Sequence, residues 1–171
     1  MIRFNVIFRT VFVIVLGFFS SCGDSSEAKK ESTSGESEAT QDDSIIQISE
    51  QMSEPSVSDL GLFKVGVLWA PQPLRAGLDL SHTAHLLFFD SEDQPLESID
   101  FEKFYIHMPM MGHGTDTSDQ KIVATQAPHY YRVEGIKFNM MGKEGHWKVE
   151  FGIRINGVED GLTIDIPEVG R

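Results

Sequence analysis

Phe63, Val65, Val67 and Trp69 alternate with Lys64, Gly66 and Leu68 until Pro71 and Pro73 stop the run. This period of two predicts a strand with one buried face. Ala84, Leu86 and Phe88 interleave with His85, Leu87 and Phe89, so a second strand is apolar on both faces near its end. Ser91 to Pro95 reads as a turn, and Phe101 to Met108 as a third strand of aromatic character. Short strands follow at Lys121–Thr125, Tyr130–Val133 and Ile136–Met140. The cleanest alternation is Trp147, Val149, Phe151, Ile153 and Ile155 against outward His146, Lys148, Glu150 and Arg154. Asn156-Gly157 marks a hairpin turn, and Leu162, Ile164 and Ile166 give a closing strand. No segment holds helical periodicity over ten residues. The expectation is therefore an all-β domain, an antiparallel sandwich of seven or eight strands, over residues 61–171.

The pattern changes upstream. Between Gly23 and Leu60 there is no aromatic residue, and ten acidic residues face two basic ones, a net charge of −8. So little apolar surface does not offset the entropy of ordering, which predicts a disordered tether. Such a coil would reach roughly 30–35 Å. Ile45, Ile46 and Ile48 are its one apolar cluster, where a short element has a place to dock. At the start, Arg3 and Arg9 precede an apolar run from Val11 to Phe19, then Ser20-Ser21-Cys22. That is an export signal over residues 1–21, with an apolar run too short to cross a bilayer. The segment resembles the lipobox of bacterial lipoproteins, with Phe19 in place of the usual aliphatic residue. The resemblance makes Cys22 the lipidated first residue of the mature chain and residues 22–60 its leash. It implies a lipid-anchored envelope protein facing the periplasm, and Asp24, one place later than an inner-membrane retention signal, leans towards the outer membrane.

Charge and cysteine count narrow the chemistry. Residues 61–171 carry sixteen acidic and ten basic side chains, net −6, which offers no footprint for nucleic acid. Cys22 is the one cysteine of the chain, so the domain has no disulfide and any metal site lacks thiolate. Nucleophile elbow, phosphate loop and HExxH zinc motif are all missing, and nothing positions Ser118, Asp119 and His129 as a triad. A catalytic role is not expected.

The richest stretch is His107-Met108-Pro109-Met110-Met111-Gly112-His113, echoed by Met140-Met141 and His146. Thioether sulfur suits Cu(I), and imidazole suits copper in either oxidation state. Methionine also fills irregular core gaps, and Met108 and Met140 fit packing better. The candidate copper ligands are His107, Met110, Met111, His113, Met141 and His146. Pro109 and the flanking glycines let the first loop curl, and a hairpin with its turn at Gly142 to Gly145 would bring the second group alongside. Tyr105 and Trp147 are expected in the core, and His82, His85 and His129 in ordinary structural or solvated roles.

Several motifs occur in a telling order: Trp69-Ala70-Pro71-Gln72-Pro73-Leu74-Arg75-Ala76-Gly77, Phe89-Asp90, Gln94-Pro95-Leu96, Met108-Pro109 with Met111, and Gly145-His146-Trp147. This order resembles the YtkA-like and FixH-like exported domains over about residues 62–168. The resemblance implies an immunoglobulin-like β-sandwich linked to copper handling, cation pumps or efflux assemblies. Met108, Met111 and Trp147 match its pattern, which Met110, His113, Met141 and His146 extend. Two functions follow as expectations. One is a tethered carrier that binds copper through the Met/His loop and passes it to an envelope partner. The other is a non-catalytic interaction module whose methionines form an adaptable apolar surface.

Overall fold

A computed structural model of the chain describes residues 41–97 and 99–171. The export signal, Cys22 and the first part of the tether lie outside the described residues. Among those described, no helix is long and apolar enough to cross a membrane.

The elements in order are α1 (Gln41–Gln51), β1 (Ser56–Val57), β2 (Lys64–Ala70), β3 (Leu74–Arg75), β4 (His82–Phe89), β5 (Asp100–Met108), β6 (His113–Gly114), β7 (Lys121–Ala124), β8 (Tyr130–Ile136), β9 (Lys148–Ile155), β10 (Val158–Asp165) and β11 (Val169–Gly170). A single 3-10 turn, Pro109–Met111, follows β5. Two sheets carry the fold, ordered β1-β2-β4-β8-β7 and β10-β9-β5-β6, with β11 paired to β3 in a small parallel ribbon. Every pairing within the two large sheets is antiparallel. Taken without their two-residue edge pieces, the sheets read β2-β4-β8-β7 and β10-β9-β5. That is the ABED and GFC order of a constant-type immunoglobulin sandwich. The expected all-β sandwich is the fold.

Alternation decides which side chains meet between the sheets. From the first sheet Val65, Val67, Trp69, Ala84, Leu86, Phe88 and Val133 turn inward, and from the second Ile106, Val149, Phe151 and Ile153. Phe88 sits at the middle, edge-on to Phe101 at 5.5 Å and to Phe151 at 6.5 Å between ring centroids. Asn156 and Gly157 both hold positive φ, 51° and 82°, as a type I′ hairpin turn between β9 and β10 requires.

Three expectations need correction. Residues 41–60, expected as coil, hold α1 and β1. Ile45 and Ile48, one helical turn apart, line a cavity with Tyr130 and Arg132 of β8, while Ile46 stays exposed. Met52 lies over Gly66 of β2, and Leu87 is buried although its neighbours Leu86 and Phe88 take the inward face. The acidic composition masks this short amphipathic patch. Second, no strand runs from Ile136 to Met140. The strand ends at Ile136, and residues 137–147 cross from the first sheet to the second, so Met140 and His146 do not flank a hairpin. Third, Tyr105 is 37% exposed, on the outer face of the second sheet rather than in the core.

A thioether-lined candidate site

The crossing segment is fastened from both sides. Phe138 accepts a hydrogen bond from Gly77 N–H at 2.9 Å. Gly142 and Val169 exchange backbone bonds of 3.0 and 2.8 Å, and Gly145 N–H donates to Ile166 O at 3.1 Å. Trp147, fully buried, packs edge-on against Phe138 at 5.3 Å. Its indole N–H donates to the Met140 carbonyl at 3.2 Å. A Cβ on Gly142 would fall 2.7 Å from the Trp147 ring, so that position needs glycine for close approach. Burial of one tryptophan thus fixes where Met140 and Met141 emerge.

On the other side, β5 delivers Met108 into the core, 4% exposed, and Pro109 ends the ladder. The 3-10 turn closes with Gly112 N–H on Pro109 O at 3.4 Å, leaving Met110 and Met111 projecting at 91% and 57% exposure. The two segments meet. Met108, Pro109, Met110, Met111, Met140, Met141, Gly145, His146 and Lys148 line a single cavity of about 420 Å³. Five thioethers and one imidazole surround it. Lys148, the one charged liner, is held by an ion pair with Asp165.

The cavity gathers four of the six candidate ligands: Met110, Met111, Met141 and His146. The other two are placed elsewhere. His107 lies on the outer face of β5, stacked on Tyr105 at 5.1 Å, with Nε2 3.0 Å from the Glu150 carboxylate. Lys103 bonds the same carboxylate and is the main cause of its lowered pKa; burial opposes this, and the Lys103 and His107 charges assist. His113, exposed, pairs with Met108 through the β5–β6 ladder and does not line the cavity. The alternation rule explains the first. His107 and Met108 are neighbours in a strand and take opposite faces, so the imidazole goes out where the thioether goes in. Met108 and Met140, assigned to packing, do pack, and they also form the floor of the cavity.

His82 and His85 take structural positions. His82 is buried and its Nε2 lies 3.0 Å from Arg75 O. His85 Nδ1 is 2.6 Å from the Tyr130 hydroxyl, and burial, then Arg132, lowers its pKa. Among the described residues no three His, Cys, Asp or Glu side chains cluster as a site for a hard or borderline ion would require.

Fold and cavity together define a constant-type immunoglobulin sandwich with a soft-donor pocket at one end. No family model matches the chain, and neither does any curated protein sequence. The crystal structure of a DUF4426 family protein from Pseudomonas aeruginosa is similar over 69% of this chain and 97% of that one, at 9% identity and a TM-score of 0.43.

Proposed function

We propose that the cavity binds Cu(I) through Met110, Met111, Met141 and His146, and that the protein carries the ion to a partner in the bacterial envelope. The observation that supports this most is the convergence of five thioethers and one imidazole on one cavity. Two chain segments, 29 residues apart between Met111 and Met140, supply them. Thioethers are soft, neutral donors that favour Cu(I) over hard cations. Three of them are exposed, so a bound ion is open to attack by an incoming ligand. The absence of thiolate in the domain keeps the ion exchangeable, as a carrier needs. The YtkA-like resemblance and the lipobox reading of Cys22 agree with an anchored envelope protein of this kind.

The alternative, an interaction module without metal, draws on the same exposed methionines as an apolar surface. Copper K-edge absorption of the Cu(I)-loaded protein separates the two. Sulfur-dominated coordination with one light scatterer, lost in His146→Gln and kept in His113→Gln, is the expected result. A spectrum of nitrogen and oxygen scatterers alone, or no retained copper, overturns the metal reading.

A further inference from the structure

We propose that the thioether cavity is the first section of a peptide-binding groove, whose occupant is an extended partner segment with a methionine anchor flanked by acidic residues. The cavity does not end at its own rim. Met141 and His146 also line a second cavity of about 350 Å³, which reaches Lys143 and Arg171. Glu168, Gly170 and Arg171 line both that cavity and a third of about 230 Å³, which reaches Arg75. The three are joined through shared walls across the end of the sandwich, beside the β3–β11 ribbon. One partly enclosed cavity followed by two open depressions suits a chain in extended conformation, whose alternate side chains face the surface on one side.

Charge changes along this path. The first section is apolar, with its lysine neutralised by Asp165. Beyond it, Lys143, Arg171 and Arg75 are exposed and their side chains have no ion-pair partner among the described residues, against one side-chain carboxylate, Glu168. On a domain of net −6 such a run of cations is a local reversal of sign. It complements an acidic segment and repels a basic one. The apolar section takes the uncharged anchor. That the anchor is methionine rests on the proposed function, because a thioether from the partner can displace one from the site and draw the copper across without opening the fold.

The test uses the full chain in non-ionic detergent and a peptide with fluorescein on its N-terminal amine, fluoresceinyl-Asp-Glu-Met-Met-Glu-Asp-amide, whose residue order reads the same in both chain directions. Anisotropy is followed with EDTA and a Cu(I) chelator present, so that the groove is tested without metal. Saturable binding is expected, weakened at least tenfold in Arg75→Gln/Lys143→Gln/Arg171→Gln and falling as salt rises. A peptide with Gln and Asn in place of Glu and Asp should bind at least tenfold more weakly. Far-UV circular dichroism of the triple variant should match the parent, since all three side chains are exposed. No saturable binding overturns the groove, as does equal affinity for the triple variant or for the neutral peptide. Peptide binding by a protein that takes up no copper would sink the proposed function and leave the groove standing; copper uptake without peptide binding would do the reverse.

Discussion

The two ends of the sandwich handle exposed chain in opposite ways. At the end away from the methionines, Asp160 of β10 is buried, and its carboxylate accepts hydrogen bonds from the backbone N–H groups of Leu60, Leu62 and Gly161 at 3.0, 3.1 and 2.8 Å. Ser58 adds its hydroxyl. One charged group ties the entry loop to the far sheet, and that end has settled polar chemistry. At the methionine end the support is apolar, Trp147 on Phe138, and the groups at the surface are thioethers without hydrogen-bond partners. An uncommitted polarisable surface over a rigid floor suits a site that must bind and release.

Breaking the floor should have the largest effect. Trp147→Ala removes a fully buried indole and the donor on Met140 O. A loss of about 3–5 kcal/mol is expected for a cavity of that size. Urea unfolding checks it, and copper binding should fail along with the fold of residues 137–147.

Asp160→Asn sharpens the other side. Burial alone would raise the Asp160 pKa, but the bonds from Ser58, Leu60, Leu62 and Gly161 outweigh it and lower the pKa below the ordinary value. A lowered folded-state pKa means the stabilisation is complete above the unfolded value of about 3.9. It is lost as pH falls through the folded value. The variant should lose about 2 kcal/mol at pH 7, and the gap to the parent should close in acid. Because the carboxylate is at the opposite end, copper affinity should not move. A pH-independent gap, or a change in copper affinity, would break the proposed division of labour.

Much of the fold was legible in the chain because burial between two sheets imposes a strict period of two. The run from Trp147 to Ile155 is the clearest case, and β2, β4 and β5 lie where their alternation puts them. The helix was hidden because Ile45 and Ile48, which line the cavity with β8, stand within an acidic stretch that looks like solvent-exposed coil. The crossing segment was misread because Ile136, Phe138 and Met140 alternate as a strand does, although they follow the core around a corner. At the site, the sequence put forward Met110, Met111 and Met141, which line one cavity. It could not show that two segments meet, and it grouped His107 with Met108 where strand alternation sends them to opposite faces. Nor does any local pattern reveal that Lys143, Arg75 and Arg171 share one path.

The central claim is that Met110, Met111 and Met141 hold an ion rather than merely cover a surface. A competition titration of the full chain in detergent with a chromophoric Cu(I) chelator, under reductant, tests it most directly. One equivalent should bind the parent. His113→Gln should match it, and Met110→Leu/Met111→Leu/Met141→Leu should bind at least about a hundredfold more weakly, about 2.7 kcal/mol. The unfolding midpoint of that variant should stay within about 0.5 kcal/mol of the parent, because the replaced side chains are exposed. A leucine variant that holds Cu(I) as tightly as the parent would contradict the account.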